Sequence, residues 1–88
     1  MDPATRFKAL GHPVRLGIAL RLAQEPEGTC ACDFAEIFSV SQPTVSQHLK
    51  VLREAQLVTT RRHGNQIYYS LDVAAAKELL GVLGHLAA

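Results

Sequence analysis

Apolar positions recur at helical spacing along most of the chain and alternate in one stretch past its middle. Phe7 and Leu10 lie one turn apart after Pro3, which suits a first turn, so residues 3–10 predict a helix that Gly11 stops. His12-Pro13 opens a second helix, where Val14, Leu16, Ile18, Leu20 and Leu22 make a broad apolar face and Pro26 and Gly28 close it in a loop. Thr29 is a candidate N-cap for a short third helix, with Phe34, Ile37 and Phe38 at i, i+3 and i+4.

Ser39-Val40-Ser41 reads as a turn, and Ser41 as the N-cap of a helix running to about Ala55 with Val45, Leu49 and Leu52 inward. The period then changes. Leu57 to His63 and Gln66 to Leu71 read as two strands joined by Gly64-Asn65, a two-residue hairpin signal. Ile67, Tyr69 and Leu71 share one face of the second strand, Tyr68 and Ser70 the other. From Asp72 a last helix places Ala76, Leu79, Leu80, Leu83 and Leu86 on one stripe. A short helix, a tight turn, a polar-faced helix and then a β-hairpin is the order of a winged helix-turn-helix. The expected fold is mainly α with a small β-hairpin, in one domain spanning 1–88.

Composition removes several classes of function. With 48% apolar and 19% charged residues, the 88-residue chain is neither disordered nor low-complexity. Its apolar runs fall far short of the roughly 18–20 residues that span a bilayer. Nothing reads as a signal peptide, and two cysteines are too few for a secreted disulfide scaffold, so a reducing, cytoplasmic setting is expected. The net charge of +1 hides an uneven pattern. Residues 24–40 hold Glu25, Glu27, Asp33 and Glu36 with no base, whereas residues 41–71 hold Lys50, Arg53, Arg61 and Arg62 against Glu54 alone. That basic segment suits an anionic partner such as nucleic acid.

The helix after Ser41 carries the residue types that read base edges. Amides pair bidentately with adenine and hydroxyls serve as donor or acceptor, which makes Ser41, Gln42, Thr44, Ser46, Gln47 and His48 candidates. Lys50 and Arg53, further along, suit phosphate. Arg61, Arg62, His63 and Asn65 gather at the hairpin tip, where arginine fits a minor groove or bridges phosphates. The plainer readings are an ordinary amphipathic surface helix and a solvated turn whose charge discourages edge pairing. The tail stripe of leucines exceeds what so small a domain can cover, which points to an interface, unless this helix only closes the core of one chain. A two-fold dimer would present two such helices to a palindromic double-stranded DNA operator about one helical turn apart.

The run Cys30-Ala31-Cys32-Asp33-Phe34, followed by Ser41-Gln42-Pro43-Thr44-Val45-Ser46-Gln47-His48-Leu49-Lys50-Val51-Leu52-Arg53-Glu54-Ala55, resembles the ArsR/SmtB family of metal- and arsenic-responsive repressors. The opening from Phe7 to Leu16 and the wing ending Tyr68-Tyr69-Ser70-Leu71 resemble it too, so the likeness spans essentially the whole chain. It implies a homodimeric winged-helix DNA-binding protein paired through its first and last helices, with Phe7, Leu10, Leu79, Leu80, Leu83 and Leu86 at the interface. One departure stands at Gln56, where the family usually has glycine for a left-handed helix end.

Cys30 and Cys32 are the candidate inducer site, since thiolates bind soft ions: trivalent arsenic or antimony, cadmium, mercury, lead or zinc. On an ideal helix positions i and i+2 point about 200° apart, so joint chelation would require the first turn of the third helix to unwind. The resemblance implies an arsenic sensor, often with a third cysteine three residues on, where this chain has Ala35. Water, an external thiol or the partner subunit would complete the site. Cys30 also reads as a small core residue on the Phe34 stripe. Asp33 and Glu36 oppose thiolate formation while a helix N-terminus favours it. A second family site on the last helix lacks its partners, because Ala74 follows Asp72 and Ala88 follows His85 at the ligand spacings.

These features predict a repressor released from DNA by trivalent arsenic or antimony. The alternatives are a repressor sensing cadmium, lead, zinc or thiol oxidation, and a winged-helix protein-interaction module without DNA binding. No organic cofactor, membrane partner or enzymatic activity is expected: there is no C-x-x-C after a strand, no Gly-rich loop and no serine–histidine–carboxylate set.

Overall fold

A computed structural model describes residues 1–88: five helices and a three-stranded antiparallel sheet. Helix α1 (Pro3–Leu10) begins at Asp2, whose Oδ1 accepts from the Ala4 amide at 3.0 Å. Helix α2 (Pro13–Ala23) begins at His12, whose Nδ1 accepts from the Val14 amide. Strand β1 (Thr29–Cys30) precedes α3 (Cys32–Phe38) and α4 (Gln42–Glu54). Strands β2 (Val58–His63) and β3 (Gln66–Leu71) form the wing, and α5 (Val73–Leu86) starts at Asp72, whose Oδ1 accepts from Ala75. Every helix but α3 thus starts at a side-chain cap, each satisfying an otherwise orphaned amide. No helix is long and apolar enough to cross a membrane.

The region before α3 differs from the sequence expectation. Thr29 is not a helix cap; it is buried in β1, opposite Tyr69, and Ala31 leads into α3 with no capping side chain. The wing is therefore part of a sheet ordered β1-β3-β2 and not an isolated hairpin. Gly28 permits this join. Its φ is +97°, and a Cβ there would lie 3.0 Å from Ser70 Oγ and 3.3 Å from Tyr68 Cβ.

Phe34, Ile18, Leu22, Leu49, Leu52, Leu57 and Val45 are fully buried and bring α2, α3 and α4 onto one core. Gly17 lets α3 approach α2, since a Cβ there would stand 2.6 Å from Phe38 Cε1. On the wing, Tyr69 and Leu71 pack against the core, but Ile67 is exposed beyond its edge. On α5 the inward residues are Ala75 and Leu79. Leu79 is thus a core residue, 5% exposed, rather than the surface residue expected of it.

Arg6 is the one charged side chain inside. Its Nε donates to the Ala55 carbonyl at 3.1 Å and its Nη1 to Glu78 Oε2 at 2.5 Å, so it joins α1 to the end of α4 and to α5. Just past that carbonyl Gln56 takes φ +56°, the left-handed conformation expected at this helix end. A β-carbon there clashes with its own backbone, and glycine relieves it. Gln56→Gly is expected to stabilise the fold by about 0.5–1 kcal/mol, read as a higher urea midpoint at unchanged slope.

Candidate nucleic-acid interface and thiol site

Helix α4 owes its amphipathic form to local sequence. Ser41 Oγ accepts from the Thr44 amide at 3.3 Å and hydrogen-bonds Thr44 Oγ1 at 2.8 Å, which sets the first turn. Val45, Leu49 and Leu52 anchor one side. At 100° per residue Gln47 then points directly away from the core, flanked by Thr44 and Lys50. Ser41, Gln42, Thr44, Ser46, Gln47, Lys50 and Arg53 are all exposed. Lys50 lies 3.9 Å from Glu54, an exposed pairing too weak to withhold it from a phosphate.

His48 departs from this face. It is half-buried against α2, its ring 4.4 Å from that of His12, and Arg15 Nη1 donates to its Nδ1 at 3.4 Å. Arg15 is itself held at the end of α1 by the Ala9 carbonyl, 2.6 Å from its Nε. Burial, then His12, then Arg15 hold the His48 pKa below its ordinary value. Neutral His48 can accept the hydrogen bond from Arg15; protonated, it cannot.

The wing divides its side chains by strand alternation. Arg61 pairs with Tyr68, and its guanidinium lies over that ring at 5.5 Å while Nη2 donates to the Glu27 carbonyl. Arg61 is thus folded onto the wing's outer face, and His63 stands edge-on to the same ring. Arg62 lies on the opposite face, and with Asn65 at the tip it is open to solvent.

The sheet decides the geometry of the cysteines. Cys30 closes β1 opposite Tyr68, and Cys32 is the first residue of α3, so the pair straddles a strand end and a helix start. The 200° separation expected within a helix does not arise. The two Sγ atoms lie 2.7 Å apart with no unwinding of α3. Cys30 is half-buried and outside the apolar core, so the core reading of it falls; Cys32 is exposed. Their cleft, about 530 Å³, is bordered by Arg21, Glu25, Glu36 and Tyr68. The hydrogen bond that Cys32 donates to Cys30, then desolvation, then the charges of Cys30 and Asp33 raise the Cys32 pKa and outweigh the lowering by its own backbone amide. No third His, Cys, Asp or Glu joins the pair in a ligand cluster. One polar link leaves the site: Gln42 Nε2 donates to the Cys32 carbonyl at 3.3 Å.

A separate apolar face runs over α1, α2 and α5. Phe7 and Leu10 are half-buried along it, and Leu80, Leu83 and Leu86 are 68%, 48% and 80% exposed. Leu16 and Leu20 of α2 widen it. They were missed because their i, i+2 alternation with Ile18 and Leu22 blurs which side of α2 faces inward. Ile18 and Leu22 are one full turn apart and take the core, which turns Leu16 and Leu20 outward.

Residues 12–60 match the family described as bacterial regulatory protein, arsR family. The chain is 43% identical over 75 residues to the arsenical resistance operon repressor of Bacillus subtilis (strain 168), covering 85% of this chain and 70% of that protein. It is 41% identical over 80 residues to a cadmium resistance transcriptional regulatory protein CadC homolog of Staphylococcus aureus, covering 91% of this chain and 65% of that protein. The chain thus spans roughly two thirds of each relative's length. In structure it is similar to the homodimeric winged helix-turn-helix DNA-binding domain of a possible ArsR-family regulator from Mycobacterium bovis. The TM-score is 0.76 at 28% identity, over 96% of this chain and 77% of that one.

The His48 contacts make stability depend on pH. A histidine whose folded-state pKa is depressed stabilises the fold fully above its unfolded value, about 6.5, and that contribution is lost as pH falls below it. Thermal unfolding between pH 7.5 and 5 is expected to show a falling midpoint, and His48→Gln to flatten the fall.

Proposed function

The chain belongs to the bacterial ArsR family of transcriptional repressors, and from that footing we propose that it works as a homodimer on a palindromic operator and is released when Cys30 and Cys32 bind trivalent arsenic or antimony. The observation that carries the reading is the facing of the two sulfurs, 2.7 Å apart beside the first turn of α4. The donor set fits a soft ion, because two adjacent thiols supply two thiolate ligands and open solvent leaves room for a third. Cys30 and Cys32 would hold the ion as thiolates, and two sulfur–ion bonds would replace their mutual hydrogen bond. Release then follows if the ion-loaded conformation binds DNA less well, since a ligand shifts an equilibrium only by its differential affinity.

On DNA, Gln47, Thr44, Ser46 and Gln42 face base edges, Ser41 and the free amides behind it favour a phosphate oxygen, and Lys50 and Arg53 follow the backbone. Arg62 and Asn65 serve as the wing's contacts. His48 supports the helix from the side through Arg15, and Arg61 and His63 brace the wing around Tyr68. The apolar face of Leu80, Leu83, Leu86, Leu16 and Leu20, with Phe7 and Leu10 at its floor, takes a second copy. The homodimeric structural relative supports this, while Leu79 contributes from beneath as core.

Cys30→Ser and Cys32→Ser are each expected to keep operator affinity within about twofold while abolishing release by arsenite, in fluorescence anisotropy with labelled operator. Release of the double variant by arsenite would overturn the sensing role. The similarity to a cadmium regulator supports a second reading, in which cadmium, lead or zinc is the inducer. Parallel titrations followed by thiolate-to-ion absorbance rank the ions. Arg62→Ala is expected to weaken binding to all DNA sequences alike and to lower the slope of log affinity against log salt by about one. Loss of affinity for one operator base only would instead place Arg62 at a base edge.

A further inference from the structure

Resting on the thiol-sensing reading, we infer that Gln42 is the positioning residue that transmits the state of the cysteine pair to the DNA-reading helix. Its side chain makes the one polar side-chain bond between α3 and α4, from Nε2 to the Cys32 carbonyl at 3.3 Å. The residue types at this point suggested a base-reading amide. The geometry gives that amide a second role.

The argument turns on which cysteine can move. Cys30 sits in β1, in register with Tyr68, and Tyr68 is in register with Arg61 across β3, so the sheet pins it. Cys32 begins a helix of seven residues whose N-cap, Ala31, offers no side-chain bond. The two sulfurs are in contact. An ion held by both, about 2.3 Å from each, would fix the separation and angle of the pair, and of the two residues the unpinned one yields. Its carbonyl carries the Gln42 bond.

Gln42 is also the first residue of α4, immediately after the Ser41 cap. An amide group has two N–H donors and one acceptor oxygen. While one N–H is held by Cys32, the side chain keeps one orientation, with its oxygen and second N–H directed to a partner. Movement of the Cys32 carbonyl frees the side chain, and operator binding must then fix its rotamers again. The bond therefore favours the DNA-binding form in the absence of ion.

The test measures operator affinity with and without arsenite for the wild type and Gln42→Ala, with arsenite uptake followed separately by thiolate absorbance. Uptake is expected to be unchanged in Gln42→Ala, and the factor by which arsenite weakens operator binding to shrink about three- to tenfold, the range of one hydrogen bond. An equal factor in both proteins overturns the inference while leaving the sensing reading intact. A wild type whose thiols take up arsenite without any loss of operator affinity removes the sensing reading itself. If Gln42→Ala no longer binds operator, DNA-free NMR decides. Arsenite is expected to shift the Thr44, Val45 and Gln47 amides of the wild type but only residues of β1 and α3 in the variant. Shifts in α4 that persist in Gln42→Ala overturn the inference.

Discussion

Arg6 is buried with both ends of its guanidinium engaged, one by the carbonyl that ends the recognition helix and the other by a carboxylate on the last helix. A planar fork with donors in fixed directions holds two acceptors at a set angle, whereas the rotating donors of a lysine ammonium would impose no such geometry. The charge is costly to bury, so the partners must stay in place once the side chain is inside. As a result α1, α5 and the end of α4 are locked into one body. The surface proposed to meet a second copy and the helix proposed to meet DNA are parts of that body. The spacing of two recognition helices in a dimer then follows from how α1 and α5 pair, with little slack inside each subunit.

The other end of α4 is anchored in the core by Val45, and near it the thiol pair lies. Its first turn rests on Ser41, on Pro43 within the turn, and on one bond from Gln42 to the start of α3. On the sensing role proposed for them, the cysteines act beside this turn, one belonging to the sheet and the other to the start of α3. Tyr68 adds a second route. It stands opposite Cys30 on one side and under Arg61 on the other, so the sheet links the sulfur site to the wing as well.

Most elements were legible because their signals are local. Ser41 and Asp72 cap the helices that follow them, Pro3 and Pro13 sit in first turns, and Gly64-Asn65 turns the hairpin. Gln56 was readable as a left-handed helix end only through the resemblance to a family that usually has glycine there. Ambiguity arose where one residue had two local meanings. Thr29 resembles a cap, and only the presence of Tyr69 across the sheet makes it a strand residue. His48 has the chemistry of a base reader, yet His12 and Arg15, thirty or more positions away in the chain, draw it sideways. Arg61 looks like Arg62 in sequence, and strand alternation with Tyr68 separates them.

Residue order alone therefore settled the five helices and the two strands of the wing, the polar face of α4 and the pair of sulfurs, but not β1, because caps, turns and periodicity act over a few residues. Contacts across the fold settled where those groups ended up. They took Cys30 out of a helix and set it against Cys32, sent Leu79 inward while leaving Leu80 outside, and put Gln42 within reach of a carbonyl ten positions earlier. The physical reason is one of range. Backbone preference acts between neighbours, whereas pairing in a sheet and exclusion of water join residues that the chain itself keeps apart.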